Sequence, residues 1–173
     1  FLFECYTGIR ISDILTLKWK HITDEKISIR MRKTEKLLTI PINDYVRSVL
    51  DRRRCAVENN GGKITSEKYV FNILKVDVDE VSAQDALNAI SSATAVINKQ
   101  LKKIAEQANI DKNLSTHCAR HSYATALLTN NIPLPVIKEM LGHSDIKVTQ
   151  IYAKVVDSKR NEVVECLNKV YHG

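Results

Sequence analysis

One tyrosine, three histidines and two arginines stand out in this chain as residues whose types and spacing could do chemistry. Tyr152 closes the segment His143-Ser144-Asp145-Ile146-Lys147-Val148-Thr149-Gln150-Ile151-Tyr152, downstream of His117-Cys118-Ala119-Arg120-His121. Arg10 lies far upstream, in Thr7-Gly8-Ile9-Arg10-Ile11-Ser12-Asp13. A positioned phenol can act as nucleophile and imidazoles can move protons. Guanidinium groups grip two phosphate oxygens at once. Breaking and rejoining a DNA phosphodiester without a cofactor requires such a set.

Each residue also has a plainer reading. His117 and Arg120 are three apart and share a helix face, with His121 one turn on. Near a helix N-terminus they make an anion site; alone, they are a surface histidine and arginine. Tyr152 falls with Val148, Ile151 and Val155 on an apolar face, which suits a packed tyrosine. A nucleophilic phenol needs the same wedged ring, and with an ordinary pKa of about 10 it needs help to ionise. His143, just after Gly142, sits on a corner, where it either faces solvent or reaches into a site. Arg10 and Asp13 read alone as a surface ion pair worth at most ~1 kcal/mol. Lys33, beside a predicted turn, reads alone as a solvated lysine. His117, His121 and His143 could also converge on a metal, as in a hydrolase. The His-x-x-x-His spacing here lacks the adjacent glutamate of a zinc-protease helix.

The elements that must position these groups are legible in the apolar pattern. Ile11, Ile14 and Leu15 predict a short helix after a Thr7-Gly8 turn. Ile27, Ile29 and Met31 alternate with Ser28, Arg30 and Arg32, and Leu38, Ile40 and Ile42 alternate with Leu37, Thr39 and Pro41. This predicts two antiparallel strands joined by a tight turn at Thr34-Glu35, with Pro41 ending the second or marking a free edge. Asn43 is a cap for a helix carrying Tyr45, Val46, Val49 and Leu50. Asn59-Asn60-Gly61-Gly62 is a loop, and Tyr69-Val70-Phe71 is expected as a third short strand. The Val/Asp alternation of residues 75–81 fits no element. Leu87, Ile90, Thr94, Ile97, Leu101, Ile104 and Ala108 predict a long amphipathic helix over 82–108, with a bend near Ser91-Ser92. Ser115 or Thr116 should cap a helix running to about Leu128. Pro133 or Pro135 should open another, burying Val136, Ile137, Met140 and Leu141 and stopping at Gly142. Ser144 is expected to cap a helix bearing Val148, Ile151, Tyr152 and Val155, and a last helix is expected over about 158–167. The fold class is therefore mostly α with a small antiparallel β-sheet near the N-terminus.

Composition bounds the rest. The 173 residues suit one domain, and 44% hydrophobic with 27% charged residues indicates a globular chain. A formal charge of +6 favours a polyanionic partner without specifying one. The four cysteines, Cys5, Cys55, Cys118 and Cys166, form no Cys-x-x-Cys pair, so reduced thiols in a cytoplasm are expected. Phe1-Leu2-Phe3 is followed at once by Glu4, which is not a signal peptide, and no apolar run is long enough to span a bilayer. The apolar, uncapped start from Phe1 to Tyr6 suggests a piece of a longer protein whose upstream domain lies outside it.

Four segments together resemble the catalytic domain of the tyrosine recombinases, the integrase family of site-specific DNA recombinases. They are Thr7-Gly8-Ile9-Arg10-Ile11-Ser12-Asp13, Arg32-Lys33-Thr34 before Ile40-Pro41-Ile42, His117-Cys118-Ala119-Arg120-His121-Ser122, and Leu141-Gly142-His143 followed by Tyr152. They cover residues 7 to about 152, and their wording is closest to integrases of bacterial mobile elements. The resemblance implies the fold of that catalytic domain over 1–173, with the upstream DNA-clamping domain absent. It implies cleavage and rejoining of double-stranded DNA through a 3′-phosphotyrosine. Tyr152 would be the nucleophile, Arg10 and Arg120 the phosphate clamp, and Lys33 the general acid, with Lys36 as the alternative. His117 would assist proton transfer and His143 would hydrogen-bond the phosphate, with Asp13 and His121 in support. No cofactor and no metal are implied, and the family works as a homotetramer on paired sites. Type IB topoisomerase-like relaxation shares this chemistry, and a DNA-binding module without catalysis is the alternative from another class.

Overall fold

The computed structural model describes residues 1–145 and 147–150. The chain divides into two compact units, residues 1–123 and 124–173.

The first unit opens with α1 (Leu2–Thr7), which ends where Gly8 turns left-handed at φ 66°. The Thr7 hydroxyl donates to the Phe3 carbonyl (2.7 Å) and the Gly8 N–H to the Glu4 carbonyl (2.8 Å), so the helix closes tightly. Arg10, extended, is the N-cap residue of α2 (Ile11–Leu15). A 3-10 turn, Trp19–His21, leads into the hairpin of β1 (Lys26–Arg30) and β2 (Leu37–Pro41). The strands are antiparallel, with Lys26 opposite Pro41 and Arg30 opposite Leu37. Ile27, Ile29, Met31, Leu38 and Ile40 are all buried, as the alternation predicts. Pro41 is the last residue of β2, where its missing N–H removes no internal ladder bond.

Asn43 caps α3 (Asp44–Asn59), its side chain accepting from the Val46 N–H at 2.9 Å. Ser82 caps α4 (Ala83–Gln107) by accepting from the Asp85 N–H at 3.1 Å. One core packs Leu15 against Leu74, Val78, Ala86 and Ile90, with Ala93 and Ile97 alongside. The long helix exists as predicted, but its buried stripe is displaced. Ala86, Ile90, Leu101 and Ala105 are buried, whereas Leu87 and Ile104 are more than half exposed. Ile90 and Leu101 lie on the predicted stripe, and Ala86 and Ala105 join them in the seam.

Tyr69 does not begin a strand. It forms a single antiparallel bridge with Lys18, because only one residue pair meets before the chain turns away. The unplaced stretch 75–81 has a tertiary purpose. The ammonium of Lys18, 5% exposed, donates to Asp77 (3.0 Å) and Asp79 (2.7 Å), while the Tyr69 hydroxyl donates to Asp77 at 2.7 Å. Burial pushes the Asp77 carboxyl up, but hydrogen bonds from Tyr69, the Asp79 N–H and Lys18 outweigh it and hold it at about 2. Its stabilising contribution is therefore complete above its ordinary value of 3.8 and is lost as pH falls through about 2. Lys18→Met should cost roughly 2–3 kcal/mol at neutral pH, since it strands Asp77 and Asp79 on the core's edge. Melting curves should show that deficit shrinking below about pH 3.

Gly8 meets two demands that only glycine satisfies. A Cβ there would lie 2.4 Å from Cδ1 of Tyr123, and φ is positive. Gly8→Ala should destabilise by roughly 2–4 kcal/mol, combining left-handed strain with overpacking. Thermal melts read this directly, and an unchanged melting temperature would refute the packing described here.

α5 (Thr116–Thr129) starts where the Thr116 N–H donates to the Asn98 side chain of α4 (2.9 Å). In the second unit, α6 (Leu134–Leu141) follows Pro133 and ends at Gly142, left-handed at φ 62°. Ile137 and Leu141 are buried, but Val136 is 44% exposed and Met140 half-buried, because a two-turn helix hides one face only. α7 (Lys147–Gln150) follows, and Asp145 accepts from the Lys147 N–H at 2.9 Å. The helix predicted near 158–167 lies outside the described residues. Among the described residues the fold is mostly helical with one two-stranded antiparallel sheet, and no helix is long and apolar enough to cross a membrane.

Candidate functional site

Asp13 organises the first unit's candidate residues. Its carboxylate is 3% exposed, and Oδ1 accepts from the Arg32 N–H at 2.9 Å. That bond ties the hairpin turn carrying Lys33 to α2, which begins just after Arg10. Burial raises the Asp13 carboxyl, and the charges of Arg10, Arg120 and Arg32 each pull against that rise. Arg10 of α2 and Arg120 of α5 therefore act on one buried carboxylate, although they are 110 positions apart in the chain. The surface ion-pair reading of Arg10 and Asp13 fails on this point. Asp13 is buried, and among the described residues the two form no contact ion pair. The Arg10 Nη1 instead faces the Met31 sulfur at 3.5 Å.

Arg120 is itself 4% exposed, and its Nη1 donates to the Gly8 carbonyl. The glycine turn thus fixes the guanidinium as well as the path between α1 and α2. Such a desolvated, anchored guanidinium is a strong anion binder, because little reorganisation accompanies binding. His117 and His121 stand edge to face with ring centroids 4.5 Å apart. Burial lowers the His121 pKa, and the neighbouring His117 and Arg120 lower it further, so the imidazole is held toward its neutral form. His117 is exposed at the start of α5.

Lys33 is exposed in the four-residue turn Arg32-Lys33-Thr34-Glu35, which is closed by the Met31 N–H to Lys36 carbonyl bond (2.9 Å). Glu35 takes a positive φ of 55°, and its carbonyl accepts from the Arg30 guanidinium at 2.7 Å. The turn is braced at both ends while the lysine projects from it. Its neighbour Lys36 is also exposed.

His143 belongs to the second unit and is described within it. It is 9% exposed, not a solvent-facing loop residue, and its Nδ1 pairs with the Thr149 hydroxyl at 2.9 Å. That pairing fixes the ring across the α6–α7 corner and turns Nε2 into its other polar atom. Tyr152 lies outside the described residues. Among the described residues no three His, Cys, Asp or Glu side chains gather as a metal-binding group would.

One residue escaped the sequence reading. Glu4 is 2% exposed on α1 and lies within Coulombic range of Arg120. Its only sequence signal is a single carboxylate inside an apolar helical run.

This fold is that of the tyrosine-recombinase catalytic domains. The crystal structure of XerA recombinase superposes with a TM-score of 0.67 at 22% identity, covering 93% of this chain and 55% of that one. XerH recombinase, solved bound to its palindromic difH substrate after cleavage, gives 0.64 at 23% identity over 95% of this chain and 43% of that one. The model of the phage integrase family matches residues 1–159, and the chain belongs to that family. Tyrosine recombinase XerD of Staphylococcus aureus strain Mu50 is 32% identical over 154 residues, 88% of this chain. The chain spans 48% of that relative's length.

Proposed function

We propose that this chain is the catalytic domain of a site-specific DNA recombinase that cuts and rejoins DNA through a covalent phosphotyrosine. The observation that carries the reading is the convergence of Arg10 and Arg120 on the buried Asp13, with the Lys33 turn tied to the same carboxylate. Two guanidinium groups whose charges act on one buried carboxylate, one of them anchored to the Gly8 carbonyl, are preorganised for the equatorial oxygens of a phosphodiester. Negative charge grows on those oxygens during attack, so the pair favours the transition state over the ground state.

In this mechanism the Tyr152 oxygen attacks phosphorus in line. A Tyr O–P bond forms as the bond to the 5′-oxygen breaks, leaving a 3′-phosphotyrosine. Lys33 gives a proton to the departing 5′-oxygen, and His117 assists in removing the phenol proton. His143, its ring fixed by the Thr149 hydroxyl, hydrogen-bonds a phosphate oxygen. The covalent linkage conserves the energy of the broken bond, so the reverse attack by a 5′-hydroxyl rejoins DNA without ATP.

The working protein is larger than this chain, with an upstream domain that closes around duplex DNA, and it acts as a homotetramer on paired sites. A nicked suicide substrate carrying the cognate site tests the reading. The full-length protein should form a protein–DNA adduct that survives denaturation. Salt-sensitive binding with no adduct would instead reveal a DNA-binding module.

A further inference from the structure

Met31 makes a contact that packing alone does not require. It ends the alternation of Ile27, Ile29 and Met31 and is 1% exposed, so a leucine would fill the same space. Its thioether does something a leucine cannot. The Arg10 Nη1 donates to the sulfur at 3.5 Å. The Thr34 hydroxyl donates to the same sulfur over a longer, weaker 3.9 Å. Met31 also closes the turn that carries Lys33. Its N–H donates to the Lys36 carbonyl (2.9 Å) and its carbonyl accepts from the Glu35 N–H (2.9 Å). One buried residue therefore touches the Arg10 guanidinium and frames the lysine turn.

The nature of the acceptor matters. A thioether is uncharged and polarisable, and it accepts weakly. A carboxylate in its place would offset the guanidinium charge and compete with a phosphate for it. The sulfur takes one N–H of Arg10, and among the described residues the other N–H groups of that side chain make no hydrogen bond. Arg120 differs, since its anchor is the Gly8 carbonyl, a full-strength acceptor.

We propose that Met31 is a positioning residue for Arg10, its sulfur orienting the guanidinium before DNA arrives without discharging it. The inference rests on the reading of Arg10 as a phosphate clamp. A long arginine side chain loses rotamer freedom when it engages an anion. The sulfur removes part of that cost in advance, which is what makes a donor preorganised. The scissile phosphate is one of many that a duplex presents, so the benefit belongs to cleavage more than to overall affinity.

The test uses full-length protein and a nicked cognate duplex. Met31→Leu conserves volume and removes the acceptor, so thermal stability and duplex affinity should change little. Adduct formation in single-turnover experiments should slow by about two- to tenfold, the rate equivalent of one ordinary hydrogen bond. A substrate with sulfur at the 5′-bridging position separates Arg10 from Lys33. Its P–S bond breaks to expel a thiolate, which needs no proton from a general acid. The leucine variant should stay slower than wild type on this substrate, because the clamp is still required. Nitrogen-15 spectra supply a signature that packing does not produce. Rotation of the Arg10 guanidinium should be slowed in wild type and released in Met31→Leu. Equal cleavage rates, or a deficit erased by the bridging sulfur, would overturn the proposal. So would a wild-type Arg10 guanidinium that already rotates freely, a result that needs no substitution. If Arg10→Ala forms the adduct at the wild-type rate, the clamp reading itself fails. Equal rates for Met31→Leu with Arg10 essential remove only the role of Met31.

Discussion

Arg120→Ala should slow formation of the covalent DNA adduct by about 10²–10³-fold in single-turnover measurements, the usual loss when one preorganised transition-state donor is removed. Arg120→Lys should recover little of this. A lysine offers one point charge where the guanidinium offers a planar fork, and it does not reproduce the bond to the Gly8 carbonyl. The same substitution has a stability signature that separates it from a purely chemical defect. Glu4 and Asp13 are both raised by burial and both restrained by the Arg120 charge. Without that charge their folded-state values climb further, while the unfolded chain keeps ordinary carboxyls. For a raised acid the penalty is absent at low pH and appears as pH rises. The alanine variant loses packing and the Gly8 bond at every pH, and its charge-linked deficit should be absent below about pH 4.5 and grow steadily as pH passes 7. Paired melting curves at pH 4.5 and 8 check the sign.

The sheet was readable because a hairpin is local. Ile27, Ile29, Leu38 and Ile40 alternate within two short segments, and their burial follows from the pleat alone. Helix ends were readable for a similar reason, since Asn43, Ser82 and Gly142 act through their own neighbours. Where a residue's role depended on a distant partner, the pattern failed. Asp77 and Asp79 looked purposeless until Lys18, some 60 positions earlier, was found between them. Leu87 and Ile104 have the right spacing for a buried stripe, yet α4 buries Ala86 and Ala105 beside Ile90 and Leu101, because contact depends on how close the neighbouring chain approaches.

The candidate site divides in the same way. Arg10, Lys33, His117, Arg120 and His143 were proposed from residue type, order and the family resemblance. The Asp13 carboxylate, expected only in support, ties α2 to the hairpin turn through the Arg32 N–H and feels the Arg120 charge of α5. Glu4 was invisible, since nothing in an apolar hexapeptide announces that its one carboxylate is buried and feels the charge of an arginine 116 positions away. Electrostatic partnership across the fold leaves no periodic trace in sequence.

Tyr152→Phe carries the largest expected effect of any substitution, because phenylalanine keeps the ring and removes the only oxygen that can attack. An ordinary phenol is almost wholly protonated at neutral pH, so in the proposed mechanism the guanidiniums and the proton-transfer groups serve to make this one oxygen reactive. Losing a donor slows such a reaction; losing the nucleophile stops it. DNA binding should persist, since the arginines and the basic surface are untouched.

The decisive measurement is therefore the denaturation-resistant adduct on a nicked cognate substrate, digested and mapped by mass spectrometry. Wild-type protein should carry the DNA 3′-phosphate on the peptide containing Tyr152, and Tyr152→Phe should bind the same duplex without any adduct. An adduct that persists in the phenylalanine variant, or that maps to another residue, would contradict phosphotyrosine chemistry at this site.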